Sequence, residues 1–303
     1  MRSHAHSRRH SPRHAPHARP ARRAAVSFFL TLAFTLTAAF DAPRARAQRE
    51  LTPLQHEINV QTARLSSADA EGRRDAVVRL GAMARPEASR AAAAALGDAS
   101  AIVRATAARA VLSLAPGEAA ALILPLLRDR DEFVRREAAY ALGLSRSALG
   151  VGALLAAVQT DKQPSVRGAA AVALGQIGDA AAVPALTGSL TRRLPASGFF
   201  NRLLRRKVEE DEFVRRAAAV SLGQIGSREA VPVLVEALSD ARAPNDVRRE
   251  AAHALGLIGD PAAVPALRAV LAHQDPYLSR IAFEALKRLD PPPAAPRPAG
   301  GKL

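Results

Sequence analysis

Cysteine is absent from this chain, and so is tryptophan. Without thiols there are no disulfides, no thiolate metal ligands and no cysteine nucleophile, and the redox compartment leaves no mark. Aromatic residues fill only 4% of the 303 positions, although 49% of the residues are hydrophobic. A core is therefore available, but it has to be built from small side chains, chiefly alanine, with backbones that approach closely. Acidic residues are scarce near the N-terminus. Residues 1–47 hold nine Arg and a single acid, Asp41, so much of the formal charge of +15 sits there.

Those first residues read as an export signal. Five of the eight His lie in HAHSRRHSPRHAPHARPARR, which is a solvated basic leader or, less simply, a metal-binding tract. Residues 24–40, AAVSFFLTLAFTLTAAF, are uncharged and follow Arg22 and Arg23. Ala45-Arg46-Ala47 then stands as an A-x-A cleavage site, which completes the pattern of a secretory signal peptide over residues 1–47. An apolar run of 17 is short for a permanent anchor, which needs about 20 residues. The basic part is long, so either the true start lies further on or the segment stays uncleaved as an anchor. The expectation is an exported chain, periplasmic or secreted, that begins near Gln48.

The remainder is repetitive. VRREAAYALG at 134–143 returns as VRREAAHALG at 247–256. Related blocks begin at Val103, Val166 and Val214, and one period outside them lie GRRDAVVRLG from Gly72 and LSRIAFEALK from Leu278. The steps are 31–33 residues, except for one of 48 that contains an insertion at 191–208. A fixed period of this size marks a solenoid. Within a block the first, fifth, eighth and ninth positions are apolar, one face of an α-helix. Gly143, Gly175, Gly223 and Gly256 follow the last Leu and read as helix ends. A second helix runs through segments such as AAVPALTGSL (181–190). Thr52-Pro53-Leu54-Gln55 is a capping box that opens the array, with Leu54, Ile58, Gln61 and Leu65 on one face. The predicted fold is an all-α, right-handed α-solenoid of about seven helix pairs over 48–290, followed by a Pro-rich disordered tail, 291–303.

The pattern D-x-x-x-x-V-R-x-x-A-A-x-A-L-G, with V-P-A-L before it, resembles the short HEAT-like repeat of the phycobilisome lyase type. The resemblance covers roughly residues 50–290 and implies that the Val-Arg helices line a concave face. It also implies an Asp–Arg ladder, with Asp98, Asp129 and Asp161 capping helices and pairing with Arg104, Arg135, Arg167, Arg215 and Arg248 of neighbouring units. Two enzyme classes come with the resemblance, bilin lyases and the di-iron deoxyhypusine hydroxylases. The latter carry His-Glu at the third and fourth positions of this helix. Here those positions read Arg136-Glu137, Gly168-Ala169, Arg216-Ala217 and Arg249-Glu250, and the one His-Glu pair, His56-Glu57, stands alone in the first helix. No metal site or cofactor is expected. A repeat-type modifying enzyme of the lyase or hydroxylase kind remains the alternative reading.

Nucleic acid is not the expected partner. Outside the leader the charge is only +7, with acids interspersed, and phosphate binding needs a concentrated basic face. The insertion is the exception. Phe199, Phe200, Leu203, Leu204 and Val208 recur at helical spacing among Arg205, Arg206 and other basic residues. It reads either as an amphipathic helix for peripheral membrane contact or partner binding, or as an extension of the next helix that covers core. Glu209, Glu210, Asp211 and Glu212 follow it and would pair with its charges. The third, fourth and seventh positions of the Val-Arg helices point away from the packed stripe, and packing leaves them free. The expected function is a monomeric, non-enzymatic scaffold that holds a protein or peptide in this groove. Arg136, Glu137, Tyr140, Arg216, Arg249, Glu250 and His253 are the candidate contacts, with the insertion as a side wall. His273, in a loop, has no partner His near it in sequence.

Overall fold

A computed structural model describes residues 51–195, 203–204 and 207–289. The leader and the tail lie outside them, as do Phe199, Phe200, Arg205 and Arg206. The described chain is an α-solenoid of seven helix pairs. The first helices of the pairs are α1 (Pro53–Arg64), α3 (Pro86–Ala92), α5 (Pro116–Ile123), α7 (Val151–Thr160), α9 (Val183–Thr191), α11 (Val231–Ser239) and α13 (Val264–Ala269). Their Val-Arg partners are α2 (Ala70–Ala82), α4 (Ala101–Ala110), α6 (Glu132–Ser145), α8 (Pro164–Ile177), α10 (Glu212–Ile225), α12 (Asn245–Ile258) and α14 (Pro276–Leu289). The capping box forms as read, with the Gln55 N–H on the Thr52 hydroxyl and the Gln55 amide on the Thr52 N–H.

The apolar stripe is the core. Val134, Ala138, Ala141 and Leu142 have no exposed surface, and the matching residues of α8, α10 and α12 are equally buried. The stripe is wider than the sequence suggested, because the sixth position (Ala108, Ala139, Ala171, Ala219, Ala252) is sealed as well. At that position the Ala171 carbonyl accepts from Ser221 of the next pair at 2.8 Å, a contact that helical periodicity within one pair does not reveal. Consecutive Val-Arg helices pack along their length, whereas consecutive first helices meet over fewer residues. The more closely spaced row is the inner side of a curved stack, so the Val-Arg helices face the groove.

Glycine sets that spacing, which corrects one expectation. Gly143, Gly175, Gly223 and Gly256 do not end their helices; each lies inside, two residues before the last. A Cβ on Gly143 would stand 2.7 Å from the Ala173 Cα, on Gly223 2.8 Å from the Ala254 Cα, and on Gly256 2.9 Å from the Ala285 Cα. The next helix occupies the space of the missing side chain. The true ends are the left-handed residues three positions on, Gly178, Gly226 and Gly259, with Arg146 in that conformation after α6. The second Val-Arg unit has Leu112 where five others have Gly, and there α4 stops at Ala110 and tightens into a 3₁₀ turn.

Arginine at the second position ties each of the first four pairs to the next. Arg73 holds Asp98 through Nε and Nη2 at 2.7 and 2.8 Å, Arg104 holds Asp129 at 2.8 and 2.8 Å, and Arg135 holds Asp161 at 2.8 and 3.2 Å. Such two-pronged, partly buried pairs are the strong form of the interaction. Contrary to expectation, the acids do not cap the helices. Asp98, Asp129 and Asp161 each accept from the N–H two residues on, one turn before the helix, and residues such as Asp131 and Asp211 are the caps. In the sixth rung His273 replaces the acid, with Nε2 2.9 Å from Arg248 Nη1 and the Asp275 N–H 3.0 Å from Nδ1. A neutral imidazole has one acceptor nitrogen and cannot satisfy both donors.

The two ends of the insertion are strand rather than helix, although Leu203 between them is helical, and the insertion does not extend α10, which starts at Glu212. Arg193–Pro195 (β1) and Lys207–Glu209 (β2) pair antiparallel, with Leu194 opposite Val208. Leu203, Leu204 and Val208 are exposed and cover no core. The acids after it act within the ladder. Glu210 is buried and takes Arg167 at 2.5 and 3.1 Å, and Arg192 lies 3.6 Å from it. Glu209 pairs with Arg215 and lies 3.9 Å from Arg193.

Two outcomes follow for stability. Gly223→Ala gains about 1 kcal/mol of helix propensity, but it overpacks a backbone contact at a cost of about 1–3 kcal/mol, so its Tm should fall. Gly152→Ala, in α7 with nothing within 4 Å of the added methyl, should raise Tm. Thermal melts in which both variants shift the same way would refute this packing account. The second outcome concerns pH. The Arg73 hydrogen bond holds Asp98 below the ordinary carboxylate range. Burial pushes Asp129 and Asp161 up, but Arg104 and Arg135 outweigh it and leave both lowered. Lowered folded values stabilise above the unfolded pKa of about 4, and that stability is lost as pH falls through the folded values. Tm should hold down to about pH 5 and drop below about pH 4. In Asp129→Asn, Tm at neutral pH should be lower and the acid drop shallower; an unchanged drop would count against the ladder.

Candidate functional site

The ladder uses up the second position, so the groove is left with the third, fourth and seventh. Packing constrains them more than the sequence suggested. Gly168, Ala169 and Ala217 are buried. A Cβ on Gly168 would fall 2.1 Å from the Phe213 ring, because Phe213, the residue before Val214, lies across the preceding inner helix. Tyr277 does the same to Arg249, whose guanidinium carbon sits 5.0 Å from the ring centre.

The charged candidates are largely engaged with one another. Arg249 holds Asp275 at 2.8 and 2.9 Å and Asp246 at 2.7 Å, so it is a joint between pairs rather than a free contact. Asp275 is lowered by that Arg249 hydrogen bond. Arg216 bridges Asp246 at 3.3 Å and Glu250 at 3.9 Å, which brings two candidates together across α10 and α12. Arg136 pairs with Glu137 at 3.3 Å and lies 5.0 Å over the Phe133 ring. Tyr140 is half-buried, and burial raises its phenol pKa. His253 is exposed.

Among the described residues, clefts open on this inner row towards each end. The first, about 370 Å³, lies at the shortened α4 and is lined by Val78, Ile102, Thr106, Arg109, Phe133 and Glu137, among others. The second, about 250 Å³, is formed between α12 and α14 by His253, Tyr277, Arg280, Ile281, Glu284 and Arg288. Glu137 and His253 were singled out in the sequence; the other lining residues were not. The signal was there: Val78, Thr106, Arg109, Arg280, Ile281 and Glu284 occupy the same fourth, seventh or third positions in the outer units. Among the described residues, no group of three His, Asp or Glu side chains gathers where a metal ion could be held.

In family comparisons the chain matches the profile of HEAT repeats over residues 58–143, 120–195 and 240–297, and that of the PBS lyase HEAT-like repeat over 214–240. Comparison with curated protein sequences returned no match. Among solved structures it is similar in fold to YibA of Escherichia coli, with 20% identity, a TM-score of 0.54, and 78% of this chain and 82% of that one covered. It is also similar to the CpcE–CpcF complex of phycocyanin lyase from Nostoc sp. PCC7120, with 26% identity, a TM-score of 0.46, and coverage of 77% and 93%. Human deoxyhypusine hydroxylase gives 21% identity, a TM-score of 0.37, and coverage of 77% and 96%.

Proposed function

Because this chain belongs to the HEAT repeat family, we propose that it is an exported, non-enzymatic scaffold that holds a protein or peptide segment along its inner helix row. The observation that carries this reading is the pair of clefts on that row. Stacked repeats present a long concave surface, and binding energy on such surfaces concentrates in aromatic and Arg residues set in pockets. Phe133 and Arg109 line the first cleft, and Tyr277 and Arg280 the second. Val78, with 49% of its surface exposed, supplies an apolar contact that the core does not use. A modifying enzyme of the hydroxylase kind would need imidazoles at the third helix position, where Arg136, Gly168, Arg216 and Arg249 stand.

The test uses the chain as bait for its envelope fraction. Val78→Asp with Arg109→Glu should abolish capture while leaving Tm nearly unchanged, and Tyr140→Ala should weaken it. Capture untouched by all three changes would move the site off the inner row. Export rests on the leader and has its own test: N-terminal sequencing of the mature protein should start near Gln48. Recovery of Met1 or of the basic leader on the mature chain would sink the cleavage prediction.

A further inference from the structure

The fifth rung of the ladder is built but not closed. Arg215 stands at the ladder position of α10, with only 6% of its side chain exposed. The 25-residue step that joins Arg73 to Asp98 and Arg104 to Asp129 leads from Arg215 to Asp240. Asp240 is folded for that part. Its Oδ1 accepts from the Arg242 N–H at 2.9 Å, the turn that Asp98, Asp129 and Asp161 also make. Yet Arg215 donates through Nη1 to Glu209 on β2, and its buried Nε has no acceptor among the described residues. Arg215 and Asp240 line one polar cleft of about 280 Å³ at the base of the hairpin, together with Arg192, Arg193, Glu209 and Glu236.

The other rungs explain what went missing. Arg104, Arg135 and Arg167 give Nη1 to backbone carbonyls five and six residues earlier and keep the Nε–Nη2 edge for the acid of the next pair. Six residues before Arg215 stands Glu209, and its carboxylate takes Nη1 instead. A full negative charge outcompetes a carbonyl for a guanidinium. A buried N–H left unpaired is destabilising, so the open rung is held against a restoring force.

We propose that the hairpin is a latch on the solenoid: Glu209 and Asp240 compete for Arg215, and displacement of β2 closes the fifth rung. Latched, the joint between α10 and the turn before α12 lacks its ion pair. Released, Arg215 turns its Nε–Nη2 edge to Asp240 and the joint is pinned like the first three. A partner that pulls on the hairpin therefore changes how the fifth and sixth pairs are tied.

The experiment introduces Asp240→Asn into the intact protein in two backgrounds, wild type and Glu209→Gln, and melts all four. In wild type Asp240→Asn should leave Tm unchanged, because the rung is open. With Glu209→Gln it should lower Tm by about 3 °C, the size of one such pair in a chain of this length. Equal effects in both backgrounds, whether zero or large, overturn the proposal. Nitrogen-15 arginine NMR gives a second reading, with the Arg215 Nε–H signal assigned by its loss in Arg215→Lys. Its exchange with water should slow in Glu209→Gln and recover in the double variant; one rate throughout would equally refute the latch.

Discussion

Everything in this array depends on how closely one inner helix can approach the next. Gly143, Gly223 and Gly256 meet the backbone of Ala173, Ala254 and Ala285 with no room for a methyl group. That approach explains the composition. Core positions facing a neighbour only a methyl radius away are held to alanine or serine, and Ser221 uses the proximity to donate to the Ala171 carbonyl at 2.8 Å. Aromatic rings are excluded from the stripe. On the inner row Phe213 and Tyr277 stand at helix starts, where a ring lies across the preceding helix instead of between two helices.

The ladder is a consequence of that spacing. When the inner helices stack at a constant interval, a guanidinium reaches the loop of the next pair at a constant separation of 25 or 26 residues. The insertion shows that the geometry, not the sequence distance, is what is kept. Arg167 and Glu210 are 43 residues apart and still form a two-pronged pair. Arg193–Pro195 and Lys207–Glu209 pair at the base of the insertion, and the helix stack resumes its register at Glu212. A longer acid, Glu for Asp, accommodates the altered approach of the loop. The same adjustment places Glu209 next to Arg215, so one insertion both preserves the fourth rung and opens the fifth.

The period, the buried stripe and the Arg–Asp pairs were legible in the sequence because they recur, and recurrence separates packing from accident. Gly143 and its counterparts were misread because glycine serves two purposes. A Gly after a hydrophobic run satisfies the local rule for a helix end, and only the distance to Ala173 shows that it serves a crossing. The local rule did hold three residues later, at Gly178, Gly226 and Gly259. The end of the insertion was misread for the opposite reason. The spacing of Phe199 to Val208 is helical, but Lys207–Glu209 pairs with Arg193–Pro195, and Glu210 is held by Arg167, 43 residues back, which no short window of sequence contains. The groove candidates came from the units with the clearest motif. Those are the units whose inner faces pack most tightly, so the clefts lie in the outer units, where the motif is weaker.

That last relation has a physical basis. A strong motif means a small residue at every crossing, and small residues close the groove floor, as Gly168, Ala169 and Ala217 do in the middle of the array. Charges along the same stretch neutralise one another, with Arg216 set against Asp246 and Glu250 and Arg249 against Asp275. Relaxing the motif opens space: Leu112 in place of Gly shortens α4, and the cleft lined by Val78, Arg109 and Phe133 lies at that helix. The second cleft lies beyond the fifth rung, between α12 and α14. The joint that Glu209 and Asp240 contest therefore stands between the two clefts. A bound segment long enough to span both would feel the state of that joint as a change in the distance between its two holds.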